Sequence, residues 1–271
     1  MSLDITDILK EWPYDPSSNI RRIQGDDGAA KIQIRVQEGG FSGVLQMNLD
    51  GRPDGRKPYG CDFALEYYMD LLEEHLQEGK KEKTFKLSHT SCVELFREAY
   101  SIYGRYVFLL QIGEYEQVVE DTRRNISLFS FIKKYARKPE DRANLEKWRP
   151  YILRINATAR AMLSLKDGKY NEALEIIEDA RLDIESLPEM EAREFQLERD
   201  RSRVAFDDLE KLVKKNKPLS DEEKLENELD RLIQKEAYER AAIVRDQINQ
   251  IRGINPHPAE ELDKYEPPSQ M

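Results

Sequence analysis

The stretch RYVFLLQIGEYEQVV, Arg105–Val119, decides the architecture. Apolar residues recur at helical spacing on both sides of Gly113, and Tyr115 opens the second run. The pattern is that of a helix, a tight turn at glycine and a second helix. RAMLSLKDGKYNEAL, Arg160–Leu174, repeats it, with Gly168 aligned on Gly113, Tyr170 on Tyr115 and Leu165 on Leu110.

The repeated unit resembles the helix-turn-helix of tetratricopeptide repeats, most clearly at Ala161, Gly168, Tyr170, Ala173 and Ala180. The two glycines lie 55 residues apart (168 minus 113), against about 34 in that repeat. Tyr106 and Val118 stand where the repeat takes small residues. The expectation is therefore a repeat-like helical array with an elongated first unit. Such arrays more often present a binding surface than a catalytic site.

Working outward, almost everything from Asp62 to Lys215 has helical period, including FALEYYMDLLEEHLQE and SCVELFREAYSIYGRYVFLLQIG. A charged helix follows over Glu189–Lys215, and Pro218 ends it. Upstream the period changes to two. KIQIRV puts Ile32, Ile34 and Val36 on one face and Lys31, Gln33 and Arg35 on the other; VLQMNL continues with Leu45, Met47 and Leu49. The glycine-rich QEGGFSG suits a hairpin connection, and NIRRIQ joins through the turn GDDG. The fold class expected is α+β, mainly α. A small antiparallel meander, with its Gly/Pro loop, fills 1–61 and packs on the helices. A helical body follows over 62–217, then a helical hairpin over 218–253 and a disordered tail over 254–271.

The loop itself is DGRPDGRKPYG, Asp50–Gly60, whose three glycines and two prolines exclude regular structure. It lacks the Gly-Lys-Ser/Thr ending of a phosphate-binding loop and the acidic spacing of a calcium loop. It reads as a connection, or as a rigid recognition loop.

The C-terminal hairpin begins in LSDEEKLENELDRLIQ, Leu219–Gln234, which sets Leu225, Leu229, Leu232 and Ile233 on one stripe. Ser220 and Glu223 have the spacing of a capping box. The break at Lys235-Glu236 is short, so YERAAIVRDQI, Tyr238–Ile248, must run back antiparallel. Its apolar side carries Tyr238, Ala241, Val244, Ile248 and Ile251. Ala241 and Ala242 permit close approach, Tyr238 plugs the closed end, and Arg245 reaches Glu226 or Glu228. Asp246 faces solvent or a partner. The stripe is wider than one antiparallel neighbour covers, so Ile233, Ile243 and Ile251 want a further surface: the protein's own body, a second copy or a partner.

Leu225, Leu229 and Leu232, then Tyr238-Glu239, Ala241-Ala242, Arg245-Asp246, Ile248 and Ile251, resemble the UVR motif of the excision-repair proteins UvrB and UvrC. Tyr238 stands in place of the usual phenylalanine and Leu232 in place of the usual alanine. The resemblance implies a protein-docking hairpin of the kind that joins UvrB to UvrC. Similar hairpins occur in a Clp-type chaperone and in the activator of a bacterial protein-arginine kinase. More widely, DGRPDG, EDTRRN and WRPYI resemble bacterial UVR-motif-containing proteins. The chain lacks a Walker loop, helicase motifs, a GIY-YIG signature and paired zinc-finger cysteines, so none of those activities comes with the resemblance. Leu229, Leu232, Tyr238, Ala241, Ala242, Arg245, Asp246, Ile248 and Ile251 are the expected partner-binding residues.

Composition sets the remaining limits. A net charge of −10 over 271 residues argues against wholesale binding to nucleic acid or anionic lipid. Arg123–Arg149 reverses it locally, with nine basic and three acidic residues. Arg123, Arg124, Lys133, Lys134, Arg137 and Lys138 are its candidates for holding an anionic partner, an acidic protein or the phosphate backbone of a nucleic acid. No apolar run approaches the roughly 18 residues of a membrane span. The start MSLDITDILKEW does not read as a signal peptide. The two cysteines suit a reducing cytosol. His89 and Cys92, with Cys61, could form a three-ligand metal site, but a helix-start histidine and core thiols are the plainer reading, and no metal or cofactor is expected. Gly104 is expected to permit close helix packing, and Glu120–Asn125 to form either a site or an interhelical hydrogen-bond cluster. The chain is thus expected to be a non-enzymatic cytoplasmic adaptor, with an accessory role in nucleotide excision repair as the alternative.

Overall fold

A computed structural model describes residues 4–253, apart from the Glu223 side chain. The expectations for the Ser220–Glu223 capping box and for the 254–271 tail therefore fall outside the described residues. The described residues fall into two compact units that divide between Lys215 and Asn216.

The first unit opens with a short helix α1 (Thr6–Glu11) and three strands, β1 (Ile20–Gln24), β2 (Ala30–Glu38) and β3 (Phe41–Asn48). They form an antiparallel sheet in the order β1-β2-β3. Register runs Ile20↔Ile34 and Ile34↔Leu45, and Glu38 pairs with Phe41 across a two-residue Gly39-Gly40 turn. Gly39 takes a positive φ there, as a tight hairpin requires. Ile32 and Ile34 are buried, as alternation predicts, and join Ile102, Tyr106, Leu109, Val118 and Ile155 in one core.

The opposite face of β2 departs from the sequence reading, because Gln33 and Arg35 are buried too. The Arg35 guanidinium donates to the carbonyls of Trp12, Val36 and Gly43 and to Ser42 Oγ, so each of its three nitrogens is hydrogen-bonded. Arg21 stacks on the Trp12 ring at 4.1 Å. Leu45, expected inside, is exposed.

The rest of the unit is helical: α2 (Ala64–Gln77), α3 (His89–Gln111), α4 (Tyr115–Tyr135), α5 (Pro139–Glu146), α6 (Arg149–Lys166), α7 (Tyr170–Glu185) and α8 (Arg193–Asn216). Leu95, Leu128, Ile132 and Ile152 tie α3, α4 and α6 together under α2. Ala157, Ala161, Ala173 and Ala180 let α6 and α7 pack closely, and Phe206, Leu209 and Val213 of α8 close that cluster.

The two aligned stretches have the same turn. Gly113 N–H donates to Leu110 O and Glu114 N–H to Leu109 O; Gly168 N–H donates to Leu165 O and Lys169 N–H to Ser164 O. Both glycines have positive φ, so each turn is a Schellman cap. Gly104 contradicts its expectation, since a Cβ placed there would meet nothing within 4 Å.

Polar side chains lock α3 and α4 to the sheet. Arg105 donates to Asp121 and to the carbonyls of Asn48 and Gly51. Asn125 donates to Ala99 O, and Asn156 to Thr122 Oγ1. Within Glu120–Asn125, residues Asp121, Thr122 and Asn125 thus form the interhelical cluster. Glu98, fully buried, accepts from the N–H groups of Ala64 and Leu65 and caps α2 from a neighbouring helix.

Candidate docking site on the C-terminal hairpin

The second unit is a pair of helices, α9 (Asp221–Gln234) and α10 (Tyr238–Ile251). Their connection is a Schellman cap as well: Glu236 N–H donates to Ile233 O and Ala237 N–H to Leu232 O. The residue in the left-handed position is Glu236, at φ 57, where glycine would be unstrained. Arg252 donates to Glu222 at 2.5 Å and also to Glu226, clamping the open end of the antiparallel pair.

Packing sorts the expected docking residues. Ala241, Val244 and Ile248 are buried against α9, where Leu225, Leu229 and Leu232 are half-buried. At about 100° per residue, these three α10 positions make the centre of the stripe. Tyr238 and Ile251 lie at its two edges, and they are 65% and 52% exposed. Ile243 lies further round at 61%, and Ile233 on α9 is 48% exposed.

Tyr238 therefore does not plug the closed end. It stands beside Ala242 and Arg245 on the outer flank of the seam. Arg245 does not reach Glu226 or Glu228 either. Its guanidinium lies 3.4 Å from its neighbour Asp246, and both side chains are exposed. The interhelical pairing belongs to Arg252, which the sequence reading passed over. An antiparallel pair with a short connection brings the end of α10 beside the start of α9, and that geometry was the signal for Arg252 with Glu222 and Glu226.

The arrangement separates structural from available residues. Ala241, Val244 and Ile248 hold the pair together. Tyr238, Ile233, Ile243 and Ile251 leave large apolar surface in water on a two-helix unit that has little core of its own. Such a surface is suited to burial against another protein.

The other candidates distribute differently. In the basic stretch, Arg124 pairs with Glu66, Lys133 with Glu146 and Lys134 with Glu82. Arg123, Arg137 and Lys138 are exposed. His89 Nδ1 lies 2.9 Å from Asp141, and Cys92 is buried in the helical core, where burial pushes its thiol up to about 11. Among the described residues no group of three or more His, Cys, Asp and Glu side chains is placed to hold a metal ion. No helix among them is long and apolar enough to cross a membrane.

Neither the curated proteins nor the solved structures contain a match to this chain. One family model does match, over the hairpin alone: residues 223–254 carry the UvrB/uvrC motif.

Proposed function

We propose that the chain is a non-enzymatic adaptor that docks a partner protein through its α9–α10 hairpin. The observation that carries the reading is the division of the stripe, with Ala241, Val244 and Ile248 buried at its centre and Tyr238 and Ile251 exposed at its edges. A matched motif that serves as a protein-interaction module in the Uvr proteins supports the same reading. Leu229 and Leu232 support the seam from α9, Ala242 and Arg245 border Tyr238, and Asp246 adds an acidic rim. The first unit offers a second, separate surface for the adaptor.

The family of the motif also supports an accessory role in nucleotide excision repair. The basic stretch lends that reading little, because three of its six candidate cations already have carboxylate partners.

The test is capture of partners from a lysate of the source organism, comparing the intact chain with Tyr238→Asp plus Ile251→Asp. Both positions are exposed, so helix content by circular dichroism should not change. A partner lost only with the double substitution supports docking by the hairpin. A partner list that does not change contradicts it.

A further inference from the structure

Arg52, Arg56 and Lys57 of the Asp50–Gly60 loop converge with Arg97 of α3 on one cleft of about 350 Å³, walled also by Pro58 and Glu94. That volume is within the range of small-molecule sites, about 300–1,000 Å³.

The loop is held in place from beneath. Gly51 O accepts from buried Arg105 at 2.8 Å, and Pro53 O accepts from Asn48 N–H at 3.0 Å. Arg52 bridges Asp54 at 2.9 Å and buried Glu98 at 2.6 Å. The Arg56 N–H donates to Asp54 at 3.1 Å, which fixes where the Arg56 side chain starts. Tyr59 sits at φ 55, a conformation disfavoured for a residue with a side chain, and its ring stacks on Tyr67 at 3.9 Å. A loop fixed this firmly presents its cations without having to order them on binding.

The charges are unevenly satisfied. Asp54 and Glu98 are engaged by Arg52, and Asp62 pairs with Lys57 at 2.9 Å. Glu94 accepts from the phenols of Tyr59 and Tyr68. Arg56 is exposed, with its nearest carboxylate at 4.0 Å, and Arg97 is exposed with no ion pair among the described residues. The chain has 53 acidic residues against 43 basic ones, yet it leaves these two guanidinium groups open on one cleft.

We propose that the cleft binds a phosphate-bearing small ligand, with Arg56 and Arg97 gripping the phosphate, while Arg52 and Lys57, held by their own carboxylates, shape the wall around them. Two planar guanidinium forks offer more parallel donors than one carboxylate can accept, whereas a phosphate has oxygens for both. On a protein of net charge −10, an anion needs cations that are left open locally, as Arg56 and Arg97 are.

The test is titration of the intact chain at low salt, followed by amide and arginine Nε shifts of Gly55, Arg56 and Arg97. The probes are inorganic phosphate, glycerol 3-phosphate as a phosphomonoester, and succinate. Saturable shifts centred on these residues with either phosphate probe, and weaker binding of succinate, are expected. Stronger binding of the ester than of the free ion would identify an esterified ligand; the reverse would identify free phosphate. Arg56→Gln with Arg97→Gln should weaken binding about tenfold or more, and Arg123→Gln with Arg137→Gln should leave it unchanged. Shifts that never saturate, equal losses in both double variants, or succinate binding as tightly as phosphate would overturn the proposal.

Discussion

Arg105 and Asp121 face each other through two hydrogen bonds of 2.8 and 2.6 Å, with both side chains 1% exposed. The pair joins α3 to α4, and the remaining Arg105 nitrogen holds the backbone of the sheet and loop at Asn48 and Gly51. Removing Asp121 alone leaves a buried guanidinium without its counter-charge. Asp121→Ala should therefore destabilise the first unit by about 3–5 kcal/mol. Arg105→Met combined with the same Asp121→Ala should cost less than the sum of the two single changes. Denaturant unfolding of the four proteins checks this. Strict additivity would mean that the pair is not coupled.

Glu236 occupies the left-handed position of a Schellman cap that is filled by glycine at Gly79, Gly113 and Gly168. The cost of that conformation for a residue with a Cβ is roughly 1 kcal/mol. Glu236→Gly should therefore slow hydrogen exchange across α9 and α10, by up to about fivefold. Faster exchange would mean that the Glu236 side chain contributes more than the backbone strain removes.

Gly104 is the opposite case, a glycine in the middle of a 23-residue helix with open space where its Cβ would stand. Gly104→Ala should stabilise the first unit by about 0.5–1 kcal/mol, through the helix propensity alone. A loss of stability in denaturant unfolding would show that the position needs to be bare.

Ala241 lies in the seam, whereas Tyr238 lies outside it. Ala241→Leu should open the hairpin at a cost of about 1–3 kcal/mol. Tyr238→Ala should stay within about 0.5 kcal/mol. Protection of the α9 and α10 amides distinguishes the two. Equal effects would contradict the division between seam and docking surface.

Cys92 is buried, and its thiol is pushed up to about 11 by desolvation, with a smaller contribution from Asp141. The thiolate is the reactive form, so near pH 8 only about one Cys92 in a thousand is competent even where the reagent can reach it. Raising the pH toward 11 should speed labelling of Cys92. Cys61 is less buried and should react first in the native protein. Rapid native labelling of Cys92 would show that the α2–α3–α4 core opens readily.

The parts of the fold set by local periodicity were legible in the sequence. Alternation located β2, and paired glycine-tyrosine signals located the turns at Gly113 and Gly168. What the sequence hid came from contacts between distant segments. Burial of Arg35 depends on the Trp12 backbone and Ser42, and that of Gln33 on Arg21 and Gln46; no window around KIQIRV contains these partners. The turn at Glu236 carries no glycine to announce its backbone. Periodicity also placed Tyr238 and Ile248 on the same side of α10, but it could not separate the edge of the stripe from its centre. That depends on how much of α10 the narrow α9 can cover.

The most direct measurement places a photo-crosslinking side chain at Tyr238 or Ile251 of the intact chain, with Lys211 as an exposed control on α8. The account predicts that both hairpin positions capture the same partner protein, and that Lys211 does not. Adducts formed only with the chain itself, or capture as efficient from Lys211, would contradict docking of a partner by the exposed edges of the hairpin.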